Sequence, residues 1–154
     1  MYLSLLPNFV LKKFQTKATC VFHAVAPVHG ASDGVQHRVN IDGTNTLLEA
    51  CRHPSVSSAV AKLVYTSSTG VVWSARDIIG ASEDDLPMPA QGYDSYHHSK
   101  GIAEKIILAE NGNGLCTVAL RPCGMIGYGF QTFYVASLLT SHKSQRPTTY
   151  SQVG

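Results

Sequence analysis

The sequence predicts an α/β fold in which a parallel sheet is wound with helices. Three short apolar runs, at residues 18–26, 63–68 and 115–120, have the length and β-former content of strands buried in a parallel sheet. Two segments of helical period separate them, at about 35–52 and 95–110, so strands and helices alternate as in βαβ units. His23-Ala24 close the first run, Ser67-Ser68 the second, and Arg121-Pro122 follow the third, at the strand ends where open α/β sheets bind ligands.

Residues 1–18 show no clear period. The first run, 18–26, ends at Pro27, and a loop with Pro, Gly and Ser-Asp leads to the first helix. Its apolar positions are Val35, Val39, Leu47, Leu48 and Cys51, and Pro54 ends it. Gly43 inside this helix costs about 1 kcal/mol relative to alanine, which predicts a close neighbour at that point. The second run, 63–68, stops in Ser67-Ser68 before Gly70. A polar loop follows to about 94. The second helix carries Ile102, Ala103, Ile106 and Ile107 on its packing side, with Asn111-Gly112 as its stop signal. The third run enters Arg121-Pro122. A further helix at about 130–141 and a polar tail complete the chain.

Composition narrows the function classes. One domain accounts for 154 residues, and 44% hydrophobic with 14% charged residues suits a globular core rather than disorder. A formal charge of +2 gives no argument for nucleic acid or an anionic membrane. Cys20, Cys51, Cys116 and Cys123 have no metal or redox spacing. Free thiols in a reducing, intracellular compartment are expected, most of them as small buried hydrophobes. No run approaches the ~18 apolar residues of a spanning helix. Lys12 to Ala26 resembles a signal peptide only faintly, since its apolar stretch is short and contains His23.

Tyr96 and Lys100 lie four residues apart on the second helix, on one face and about 6 Å apart along the axis. A lysine cation there favours the phenolate, whose proton is ordinarily lost near pH ~10; reaching neutrality takes about 4 kcal/mol at ~1.36 kcal/mol per unit. Such a tyrosine can take a proton from an alcohol while a nicotinamide takes the hydride. A solvated pair on an exposed helix has the same spacing, and what favours chemistry is the convergence with His23-Ala24, Ser67-Ser68 and residues 122–129 at one sheet edge. Adjacent His97 and His98 point ~100° apart and do not make a metal site, so no metal is expected. Glu83-Asp84-Asp85 reads as a solvated loop. Trp73 fits either core packing or contact with an apolar ligand.

The ordered motifs resemble the extended short-chain dehydrogenases, within them the 3β-hydroxysteroid dehydrogenase group, nearest to its decarboxylating sterol-4α-carboxylate 3-dehydrogenases. They are Val21-Phe22-His23-Ala24-Val25-Ala26, Val39-Asn40-Ile41-Asp42-Gly43-Thr44, residues 63–72 from Leu63 through Ser67-Ser68, Tyr96 to Lys100 with Ala103-Glu104-Lys105, and residues 119–127 through Arg121-Pro122. The resemblance implies a Rossmann-like, doubly wound sheet, NAD or NADP as cofactor, and a sterol or steroid substrate. It implies Tyr96 as general base, Lys100 lowering its pKa and binding the nicotinamide ribose, and Ser68 holding the substrate oxygen. Ser67 is sent to the other face by strand alternation. Pro122 flanks the nicotinamide, and Ala24 and Ala26 pass beneath the cofactor. Asn40 matches the family's helix asparagine, with a local structural role and a catalytic one both open. Association with the endoplasmic reticulum is a further implication, and the sequence leaves homo-oligomer formation open.

The glycine-rich turn of a dinucleotide-binding fold, with its strand, helix and acidic ribose reader, has no counterpart before residue 19, and residues 1–18 contain no glycine. Gly124-Met125-Ile126-Gly127-Tyr128-Gly129 carries its glycines in the reverse order and is a poor substitute. The expectation is an incomplete Rossmann-like sheet lacking the N-terminal glycine-rich βαβ unit. Residues 1–18 fall outside the match, 19–129 form the central part of the cofactor domain, and 130–154 begin a truncated substrate lobe. Two functions follow: NAD(P)-dependent oxidation of a 3β-hydroxysteroid, a sterol 4α-carboxylate, to the 3-ketone, as the resemblance implies; or a catalytically inactive truncated fragment or partner-binding remnant of such a dehydrogenase.

Overall fold

The computed structural model describes residues 18–28, 30–54, 60–74 and 78–124. The expectations for residues 1–17, for the glycines from 127 on and for a helix at 130–141 lie outside the described residues.

Three strands, β1 (Cys20–His23), β2 (Lys62–Thr66) and β3 (Cys116–Leu120), form a parallel sheet in the order β1-β2-β3. A continuous helical run joins β1 to β2. It comprises α1 (Asp33–His37), a π-helical segment (Arg38–Asp42) and α2 (Gly43–Arg52). Helix α3 (Ser95–Ala109) joins β2 to β3. Both crossovers step the same way across the sheet, and right-handed connections then lay both helices on one face.

That face holds the core. Leu63 and Tyr65 of β2 pack with Val21 of β1, Leu48 and Cys51 of α2, and Ala103 and Ile107 of α3. The register sets Phe22 beside Val64 and Val64 beside Val118, and these side chains point the other way. Phe22 is 75% exposed, Val118 44% and Leu120 54%. The expectation of strands covered on both faces is therefore not met by the described residues, because their helices cover only one. The thiols differ from expectation for a related reason: Cys51 is buried in the helical layer, whereas Cys116 lies on the open face and is exposed, as is Cys123.

Helix α3 begins where Asp94 accepts a hydrogen bond from the His97 backbone N–H at 2.8 Å, capping an otherwise unpaired donor. It ends before Gly112, whose φ of 87° favours glycine. Gly43 has no close neighbour of the kind its sequence context predicts. A Cβ there would meet only the Arg38 carbonyl at 3.6 Å, an ordinary contact. The residue instead marks the return from π-helical to α-helical winding.

Candidate active site

The carboxyl ends of the three strands bring the expected residues to one edge. Ala24 and Ala26 follow β1 and are exposed; Ser67 and Ser68 follow β2; Arg121 and Pro122 follow β3. The first turns of α3 carry Tyr96 and Lys100 to the same side. Two backbone bonds extend the ladder past the strands, Ser67 N–H to Leu120 O at 2.7 Å and Thr69 N–H to Pro122 O at 3.1 Å, which fixes the hydroxyl segment beside Pro122.

Lys100 is the most constrained of these residues. Only 2% of it is exposed, its Nζ donates to the Thr66 carbonyl at 2.5 Å, and the ammonium lies over the Tyr65 ring, 4.3 Å from the centroid. Burial pulls its pKa down to about 8, against the opposing pull of the Glu104 carboxylate. It remains a cation at neutral pH and has N–H donors beyond the one given to Thr66. Tyr96 is half-buried, its ring edge-on to His97 at 5.2 Å. The Ser68 hydroxyl accepts from the Gly70 N–H at 3.1 Å, while Ser67 turns inward and donates to Glu104. The two adjacent serines thus occupy different faces, as alternation requires.

Asn40 sits in the π-helical segment and is buried. Its Nδ2 donates to Ser99 Oγ at 2.9 Å and to Gln36 Oε1 at 3.1 Å, and Ser99 Oγ donates to the Tyr96 carbonyl at 3.0 Å. Asn40 therefore ties the first crossover to the turn that holds Tyr96. Sequence reasoning missed this device, because a π-helical turn leaves no signature in apolar spacing; such turns are common at functional sites.

His23 closes β1 and is buried. Thr44 Oγ1 donates its proton to the Asn40 carbonyl at 2.6 Å, so the 2.9 Å contact between His23 Nε2 and Thr44 Oγ1 has the imidazole as donor. Burial first, and the Lys100 charge second, bring its pKa down to about 4. Between that value and its ordinary 6.5 the unfolded chain binds the proton and the folded chain does not, so stability falls as pH falls through this window. The total loss is about 3 kcal/mol at ~1.36 kcal/mol per unit. Urea unfolding midpoints measured from pH 7 to 4 should decline accordingly, and His23→Gln should flatten that part of the profile.

His97 is held in a cluster of rings, 6.3 Å from both Trp73 and Tyr93, whose own rings meet at a tilt of 52° with centroids 4.5 Å apart. Its Nδ1 lies 2.8 Å from Asp94 Oδ1 without hydrogen-bond alignment, since that oxygen faces the backbone N–H. Gly70 packs against the ring: a Cβ there would sit 2.0 Å from His97 Cδ2. Gly70→Ala is expected to displace the ring and cost about 1–3 kcal/mol, read as a lower urea midpoint. Half-buried Trp73 also borders a cleft of about 450 Å³ lined by Val72, Ile78, Leu86 and Arg121. Among the described residues, no three His, Cys, Asp or Glu side chains group to hold a metal. No described helix is long and apolar enough to cross a membrane.

A parallel sheet with a Tyr-x-x-x-Lys helix at its carboxyl edge defines the Rossmann-like class of dehydrogenases and epimerases. The chain belongs to the 3-beta hydroxysteroid dehydrogenase/isomerase family, whose model matches residues 8–152. It is 39% identical to the decarboxylating sterol-4-alpha-carboxylate 3-dehydrogenase of Schizosaccharomyces pombe over 71% of this chain and 31% of that protein. With the corresponding Saccharomyces cerevisiae protein it shares 37% identity, over 75% of this chain and 32% of the relative. The chain thus spans about a third of the length of these relatives. Among solved structures, RMD from Pseudomonas aeruginosa, complexed with NADPH, aligns with a TM-score of 0.73 at 22% identity, over 90% of this chain and 46% of that one. UDP-glucuronic acid 4-epimerase from Bacillus cereus, in complex with NAD, aligns at 0.63 and 26% identity, over 80% and 38%.

Proposed function

We propose that the protein oxidises the 3β-hydroxyl of a sterol 4α-carboxylate, with NAD or NADP as hydride acceptor. The observation that supports this reading is the order of elements: Ser68 follows β2, Tyr96 and Lys100 lie in the first turns of α3, and Ala24, Ala26 and Pro122 follow the ends of β1 and β3. The donor set fits a nicotinamide riboside. Lys100 offers N–H donors to ribose hydroxyls, and the exposed alanines leave a low surface beneath. When bound, the cofactor supplies a hydride acceptor.

In this reading Ser68 holds the substrate oxygen and Tyr96 removes its proton. Lys100 stabilises the phenolate with a charge kept from solvent. Oxidation leaves a ketone β to the carboxylate. The C4–carboxylate bond then breaks, releasing carbon dioxide, and its electron pair forms an enolate, which takes up a proton at C4 to leave the ketone. The chain's task in that step is orientation. Trp73, Val72 and Leu86 offer apolar surface suited to a ring system. A bilayer-dissolved substrate of this kind also fits association with the endoplasmic reticulum.

The test is incubation with a 3β-hydroxysterol 4α-carboxylate and each cofactor, following reduced nicotinamide and released carbon dioxide. Both should appear together with the 3β substrate and neither with its 3α epimer. Reduction with both epimers, or with neither, contradicts the proposal.

A further inference from the structure

Lys100 and Glu104 stand one turn apart on α3, and both are almost wholly enclosed, Glu104 at 1% exposure. Glu104 Oε2 accepts from Ser67 Oγ at the end of β2. Arg121, at the end of β3, grips the same carboxylate with Nη2 at 2.7 Å and Nε at 3.0 Å from Oε1. Lys100 reaches the end of β2 through Thr66 O. Two consecutive turns of α3 are therefore pinned to two strand ends, and Tyr96 occupies the turn before them. We propose that Glu104 is a positioning residue of the candidate site: clamped by Ser67 and Arg121, it sets how α3 seats on the strand ends and acts on Tyr96 through Lys100.

The inference rests on the functional reading above, and nothing in a fold-holding ion pair alone requires it. A purely structural pair would need no link to Lys100. Here the Glu104 carboxylate is the charge that opposes the effect of burial on the Lys100 ammonium. The other groups facing that ammonium are the Tyr65 ring and Thr66 carbonyl of β2 and His23 of β1. His23 is neutral above about pH 4, which leaves Glu104 as the anion among them at neutral pH. Arg121 balances its remaining charge.

The test is an NMR titration of the Lys100 ammonium in the full chain labelled at lysine, assigned by the signal lost in Lys100→Arg. It needs no substrate or cofactor, so it reads this inference even if turnover fails. The wild-type midpoint should lie near 8, and in Glu104→Gln it should fall by about one unit. Mere loosening of the helix would admit water and move it up, toward ~10.4. Should Glu104→Gln not fold, Glu104→Leu/Arg121→Met removes the pair without leaving a lone buried charge, and a smaller fall is expected. Where turnover is measurable, the pH midpoint of kcat should move with the ammonium while KM stays unchanged. A midpoint that stays or rises in either folded variant overturns the proposal.

Discussion

Tyr96→Phe is expected to reduce turnover by about 10²- to 10⁴-fold, the usual contribution of a positioned general base, while leaving the fold intact. The ring sits edge-on to His97 and phenylalanine preserves that contact, so only the phenolic oxygen is lost. The expected signature is a collapse of kcat with nearly unchanged cofactor affinity, because Lys100 and the alanine surface after β1 remain. Near-wild-type turnover in Tyr96→Phe would remove the tyrosine from the chemistry and shift attention to Ser68.

The second large effect concerns stability. Arg121→Met leaves the Glu104 carboxylate buried at 1% exposure with only the Ser67 hydroxyl as a direct partner. Removing one member of a buried ion pair costs about 3–5 kcal/mol, whereas replacing both by apolar groups is often close to neutral. Urea unfolding should therefore show a severe loss for Arg121→Met and substantial recovery in Glu104→Leu/Arg121→Met. The interaction energy from this double-mutant cycle measures the coupling. Additive losses would show that the pair contributes packing alone.

Much of the fold was legible because apolar runs and helical spacing report burial directly. Strands β2 and β3 fall within one or two residues of the expected second and third runs, and α3 matches 95–110 closely. Strand β1 is shorter than the first apolar run, since Ala24 to Ala26 are apolar yet lie past the sheet edge. Covering of both strand faces was inferred from composition, but composition does not reveal which face a helix reaches. The π-helical segment and the clamp on Glu104 were invisible for a different reason. Glu104 and Arg121 both belong to motifs of the sequence, but their meeting depends on where α3 lands against β3, a tertiary fact without local spacing. Lys100 was legible as a cation near Tyr96, while its seat over Tyr65 and its bond to Thr66 were not.

Cofactor titration tests the central claim most directly, since every proposed role of Ser68, Tyr96 and Lys100 requires a nicotinamide at their edge. A ligand that binds only the folded state raises stability by about 2.7 kcal/mol at one hundred times its dissociation constant. Titrating NAD and NADP to millimolar concentration while recording the thermal midpoint should give a saturable rise with one of them, diminished in Lys100→Met. A midpoint unmoved by either cofactor would contradict the assignment of these residues to a dehydrogenase site working in this chain.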